Sequence, residues 1–167
     1  VQTYVYDNDF SEEWNGWNMW GPSSQYYPPS SDYLRLYYNT SGSSDWDWYF
    51  QSPNFEFDGL SSLGQLRFNL YEYHYSSYDS RQPRIQYRIN GDTDWITFYT
   101  FPGRTYNQAY EEDYVFDLNL TGLTSFQFRI IWYGNGGANL ILDDVVMVFD
   151  GSHNYSSSEG SNRSFAS

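Results

Sequence analysis

Hydrophobic and polar residues alternate with a period of two along most of this chain, and no stretch has the spacing of an amphipathic helix. Leu66, Phe68 and Leu70 alternate with Arg67, Asn69 and Tyr71. Ile85, Tyr87 and Ile89 alternate with Arg84, Gln86, Arg88 and Asn90, and Ile96 and Phe98 with Trp95, Thr97 and Tyr99. Phe126, Phe128, Ile130 and Trp132 alternate with Gln127, Arg129 and Ile131. Further strands are predicted over Thr3–Tyr6, Tyr33–Tyr38, Trp46–Gln51, Asn54–Phe57, Tyr114–Leu118 and Asn139–Phe149. Turn residues separate these runs, and Asn90-Gly91 between two alternating segments predicts a hairpin. The stretch Phe101–Asp113 reads as a loop. Many short strands without helices predict an all-β, two-sheet antiparallel jelly-roll sandwich of roughly eight to eleven strands.

Length and composition bound the domain organisation. A chain of 167 residues suits one domain able to bury a core without cross-links. That domain is expected over residues 1–150. Gly151–Ser167, rich in Ser, Asn and Gly, reads as a linker-like tail or an inter-subunit segment. The start Val1-Gln2-Thr3 reads as a processed product or an excised domain. No internal repeat is visible.

Charge and residue usage narrow the partners. The chain has no lysine and no cysteine, so its eight cations are all arginine, against a formal charge of −13. That balance argues against nucleic acid, and acidic glycans would need a local arginine patch or bridging cations. No apolar run approaches the roughly 20 residues that span a bilayer, so no membrane insertion is expected. Aromatic residues make up 23% of the chain, half of them Tyr, whose rings suit cores and also adhesive surfaces. Sequons at Asn39, Asn119, Asn154 and Asn162 point to a glycoprotein. Together these features predict an extracellular or cell-surface, secreted protein.

Several segments in order resemble the MAM-like jelly-roll group, which includes MAM domains, reelin-type repeats and similar bacterial modules. Trp48-Tyr49-Phe50-Gln51-Ser52-Pro53 is similar to its strand ending in Ser-Pro, and Leu63–Phe68 to its first core strand. Ile85–Trp95 resembles its hairpin, with a Trp following the turn. Phe126–Ile130 and Leu140–Val145 resemble its closing strands, and Asp9-Phe10 with Trp14 and Trp17 its opening segment. The resemblance implies a two-sheet sandwich that binds and is not an enzyme, and it implies no particular ligand.

Three clusters are candidate sites. Asp143-Asp144 interrupts an apolar strand, where an unpaired buried charge is costly. Similar jelly rolls hold a structural Ca²⁺ there, so Asp9 and Glu12, alongside Asp7 and Glu13, are expected to join Asp143 and Asp144 as oxygen ligands. A salt bridge to Arg67 or Arg129 is the alternative. Trp14, Trp17 and Trp20 fall three residues apart around a turn and are expected to form a platform for pyranose rings. Tyr71, Tyr73 and Tyr75 are expected on an outer strand face for a glycan or neighbouring subunit, with Arg84 and Arg88 beside them. Cross-strand packing of those tyrosines with Tyr87 and Tyr99 is the alternative.

With two histidines and no cysteine, nucleophile–base pairs are scarce, and no catalytic residue is assigned. The expected function is a non-catalytic extracellular subunit that self-assembles with copies of itself or other extracellular proteins. Aromatic patches and terminal segments would make the contacts of a fibre or layer. The alternative is a carbohydrate-binding module of a secreted enzyme or adhesin, with polysaccharide as partner.

Overall fold

The structure, a computed structural model, describes residues 2–10, 16–21, 33–38, 46–57, 63–75, 82–134, 137–150 and 161–166. Twelve strands run among them: β1 (Gln2–Asn8), β2 (Asn18–Trp20), β3 (Leu34–Tyr38), β4 (Trp46–Gln51), β5 (Phe55–Glu56) and β6 (Leu63–His74), then β7 (Arg84–Ile89), β8 (Ile96–Thr100), β9 (Ala109–Asn119), β10 (Ser125–Gly134), β11 (Ala138–Asp150) and β12 (Ser161–Ala166). They form two six-stranded antiparallel sheets, a jelly-roll β-sandwich. Sheet A has the order β12-β1-β11-β6-β9, with β3 also beside β11. Sheet B has the order β2-β4-β10-β7-β8, with β5 also beside β10.

The alternation in the sequence becomes the two faces of each sheet. Leu66, Phe68, Leu70, Phe128, Ile130, Trp132, Leu140, Leu142, Met147 and Phe149 face inward and are buried. Rings fill much of the space between the sheets. Phe50 meets Trp132 edge-on at 5.8 Å, Tyr6 meets Phe55 at 5.0 Å, and Phe57 meets Phe149 at 5.4 Å. Such edge contacts add about 0.5–1.5 kcal/mol each beyond their buried area.

Each sheet has one long strand that takes two short partners on the same side. Along β11, residues 138–142 pair with β3, whereas residues 145–150 pair with β1. The changeover is marked by a bulge, because β6 slips by one residue between Asp143 and Val146. Along β10, residues 129–134 pair with β4, and Ser125-Phe126 with β5. Ser52 carries the ladder across the gap: its N–H donates to the Phe128 carbonyl, and its hydroxyl accepts from the Phe128 N–H.

Three expectations change, and the expected hairpin forms with a longer connection. The stretch read as a loop over 101–113 supplies the first residues of β9, because Glu111 and Asp113 stand on an edge strand whose outer side faces water. The strand count exceeds eleven because β2 is only three residues long, too short for a periodic signal, and β12 is polar. Part of the C-terminal tail, Ser161–Ala166, is thus a strand, paired antiparallel with β1 from Gln2↔Ala166 to Asp7↔Ser161. The Asn90-Gly91 turn forms, with positive φ at both residues and Asp92 N–H donating to Ile89, yet strand pairing begins only at Tyr87↔Ile96. The Asn90 side chain instead accepts from the Thr124 N–H and hydroxyl, which ties this turn to the β9–β10 connection. The spare residues carry Trp95 onto the outer face of sheet B.

Candidate functional site

The outer face of sheet B carries two rows of side chains that run across five strands. Strand register places Trp20, Tyr49, Ile131, Arg84 and Thr100 side by side in one row. The next holds Asn18, Gln51, Arg129, Gln86 and Thr97. Their strand neighbours, Met19, Phe50, Ile130 and Ile85, point into the core, so the same alternation that builds the interior places these rows on the outer face, where Ile131 is itself covered. Gln127 and Arg88 continue the pattern one step further along β10 and β7.

Trp95 organises the arginines of this face. The Arg88 and Arg129 guanidinium carbons lie 4.5 Å and 4.3 Å from its ring centroid, and Arg129 also lies 5.7 Å from the Tyr49 ring. Arg88 Nε donates to Gln127 Oε1 and Arg129 Nε to Gln86 Oε1, both at 2.8 Å. Gln127 is itself buried and anchored by donating to the Ser52 carbonyl at 2.9 Å. Burial holds the Arg129 guanidinium below its ordinary range; Asp47 and Tyr49 oppose that shift, and Arg88 and Arg84 reinforce it. A hollow of about 330 Å³ opens at the Arg88 end, lined by Asn54, Asp92 and Gln127. A second, of about 240 Å³, opens at the Arg84 end beside Gln82, Thr100 and Tyr133. The face thus presents flat rings, fixed amide and guanidinium groups, and two open ends.

The other predicted residues fall elsewhere. Tyr71 and Tyr73 lie on the outer face of sheet A, with Tyr75 just beyond β6, so Arg84 and Arg88 are on the opposite side of the sandwich from them. There, Tyr75 meets Tyr73 at 4.9 Å and Tyr37 at 6.2 Å, and Arg35 lies 4.4 Å above Tyr37. Packing against Tyr87 and Tyr99 does not occur, because those rings line the core from sheet B. Trp17 is not a surface residue: it is 4% exposed, its Nε1 donates to the Tyr6 hydroxyl at 2.9 Å, and its ring meets Phe10 and Phe128 edge-on. Trp20 is 54% exposed and joins the sheet B face; Trp14 lies outside the described residues.

The acidic pair of β11 has a backbone explanation. Asp144 occupies the bulge with φ of 51°, a left-handed conformation that Asp tolerates better than most residues, and its N–H donates to the Asp143 carboxylate at 2.8 Å. No group of three or more His, Asp or Glu fit to hold a metal occurs among the described residues, so Asp9, Asp143 and Asp144 do not make such a group. Glu12 lies outside them. Comparing thermal unfolding in EDTA and in millimolar Ca²⁺ tests the calcium expectation. Of the sequons, Asn119 is exposed and accepts from the Thr121 N–H; Asn39 and Asn154 lie outside the described residues, and Asn162 is on β12.

Sequence reasoning missed one buried polar cluster. Glu72 and His74 share the inward face of β6 with Leu70 and are each 1% exposed. The Glu72 carboxylate accepts from Trp132 Nε1 at 3.2 Å and Arg104 Nε at 3.3 Å, with His74 Nε2 3.3 Å away. Burial lowers the Arg104 guanidinium, but hydrogen bonding to Glu72 and its charge outweigh this and leave it raised. Arg104 also donates to the Tyr114 hydroxyl at 3.2 Å and reaches Glu112 at 3.4 Å. The signal available was a carboxylate and a histidine at the core-facing positions of an alternating strand.

Burial, then the charge of Glu112, push the Tyr114 hydroxyl from 10.0 up to about 12, with Arg104 opposing. The folded state therefore holds this proton more tightly than the unfolded chain. Its contribution to stability is complete below pH 10.0 and is lost as pH rises towards about 12. In urea unfolding across that window, the parent chain is expected to lose stability more steeply than Tyr114→Phe. Parallel curves would refute this assignment.

No protein-family profile and no curated protein matches the chain. Solved structures do. The K3 cleaved adhesin domain of Lys-gingipain from Porphyromonas gingivalis superposes with a TM-score of 0.57 at 16% identity, covering 89% of this chain and 99% of that one. A CBM4 carbohydrate-binding module gives a TM-score of 0.52 at 16% identity, covering 87% and 99%. Tailspike protein 4 of bacteriophage CBA120 gives 0.51 at 13% identity over 84% of this chain and 20% of that one. These likenesses support the jelly-roll module in the sequence resemblance, and they are not to MAM or reelin domains in particular.

Proposed function

We propose that this chain is a non-catalytic extracellular module that binds a polysaccharide across the outer face of sheet B. The carrying observation is the pair of rows across five strands, where Trp20 and Tyr49 offer rings and Gln51, Gln86 and the arginines stacked on Trp95 offer polar groups. Sugar rings have apolar C–H faces and a rim of hydroxyls, and this mixture meets both. Similarity to a carbohydrate-binding module and to an adhesin domain supports the reading. So does the chemistry: the buried carboxylate Glu72 is engaged by Arg104, His74 and Trp132 inside the sandwich, away from this face.

Affinity electrophoresis in gels containing single polysaccharides tests it. Trp20→Ala and Tyr49→Ala should each weaken binding about 2- to 12-fold, the equivalent of about 0.5–1.5 kcal/mol per ring. Unfolding midpoints should stay near the parent value, because both rings lie on the outer face of the sheet. Retention by no polysaccharide, or retention unchanged in the double variant, would overturn the proposal.

A second reading, assembly between copies, draws on β12. That strand meets sheet A through β1 and follows the ten residues 151–160, so a neighbouring copy could supply an equivalent strand to the same edge. Light scattering of the whole chain at high concentration decides this: larger species lost on truncation after Asp150 support it, and a monomer removes it.

A further inference from the structure

Resting on the polysaccharide reading, we infer that the ligand of the sheet B face is an anionic polysaccharide whose carboxylate or sulfate groups are taken by Arg84, Arg88 and Arg129. Three of the chain's eight arginines stand on two adjacent strands of one face. Register staggers them: Arg129 is opposite Gln86, midway between Arg84 and Arg88 on β7. Like charges so placed repel one another, which is unfavourable unless a counter-charge arrives.

Their partners sharpen the point. The chain has 21 acidic residues, yet among the described residues none of these three arginines makes an ion pair. Arg88 and Arg129 are held by neutral amide oxygens and by the Trp95 ring. Those contacts use each Nε and fix the plane of the guanidinium, and among the described residues the forked ends make no ion pair, although the charge of Asp47 reaches Arg129. Arg84 goes further, because its Nε is buried and has no hydrogen-bond partner among the described residues, beside the hollow of about 240 Å³. Arg104 shows the contrast: it is spent on Glu72 and Glu112. Pre-oriented guanidinium forks suit planar carboxylates and sulfate oxygens, and rings alongside suit the sugar that bears them. The body of the protein, at −13, repels a polyanion, so attraction has to be local, and these three arginines share one face.

The test compares retention of the intact chain on polygalacturonate with methyl-esterified pectin, and on dextran sulfate with dextran. Stronger retention on polygalacturonate assigns a carboxylate; stronger retention on dextran sulfate assigns a sulfate. In either case Arg129→Gln and Arg84→Gln should weaken binding at least tenfold with unfolding midpoints kept. Arg129→Lys should fall between, and Arg67→Gln, on the outer face of sheet A, should change nothing. Equal retention on the neutral polymers, lost in Tyr49→Ala but kept in Arg129→Gln, would overturn the anionic ligand and leave the polysaccharide reading intact. Loss in Arg67→Gln as great as in Arg129→Gln would overturn the site. Retention on none of the four would remove both.

Discussion

Replacing Glu72 by alanine is expected to destabilise the protein by about 3–5 kcal/mol, the range for removing one partner of a buried ion pair. The carboxylate is 1% exposed and accepts from Arg104 and Trp132. Its loss leaves an indole N–H and a guanidinium inside the sandwich with fewer acceptors, and each unmet group is costly. For a domain of this size the unfolding midpoint should drop by about 6–20 °C. Glu112→Ala is the internal comparison. Its side chain is 51% exposed and also meets Arg104, so it should cost less than about 1 kcal/mol. Urea unfolding of both variants decides the matter. Equal, small effects would show that Arg104 is satisfied by water and that the cluster contributes little.

Trp17→Ala should have a similar effect on stability and almost none on binding. Its ring packs edge-on against Phe10 and Phe128 at 5.6 Å each, and its Nε1 holds the buried Tyr6 hydroxyl. Truncating a buried Trp typically costs about 3–5 kcal/mol through lost burial and the cavity left behind. Below its lowered midpoint the variant should still be retained by the polysaccharide that the parent chain binds. Weaker retention with an unchanged midpoint would restore Trp17 as a surface ring. The same pair of measurements on Trp20→Ala should give the opposite pattern, since that ring is 54% exposed on the sheet B face.

These two tryptophans show where sequence reasoning reached and where it stopped. The alternation through β6, β7, β10 and β11 was legible because each strand separates an apolar from a polar face, and this defined the sandwich. Trp17 was read as exposed because Asn15-Gly16 marks a turn; Gly16 does adopt φ of 85°, but the turn aims the next ring into the core. The backbone role of Asp143-Asp144 is hidden from the sequence, because a one-residue bulge leaves no periodic signature. The largest gap was pairing order. Period-two patterning assigns faces within a strand but not the sheet to which the strand belongs. Tyr71–Tyr75 and Arg84–Arg88 are close in sequence and were placed together, although the chain crosses from one sheet to the other between them. Tyr49, Trp95 and Arg129 come from distant segments, and only the register of β4, β10 and β7 gathers them.

The acidic edge strand β9 has a consequence for solubility. Its eleven residues end sheet A among the described residues, with exposed Glu111, Asp113 and Asp117 on it. An uncapped strand of that length is a template for stacking other copies, and mutual repulsion between carboxylates is what keeps such templates apart. Replacing Glu111, Asp113 and Asp117 by their amides removes that guard while the ladder-forming groups remain, so stored samples of that variant should be the ones that turn turbid and bind thioflavin.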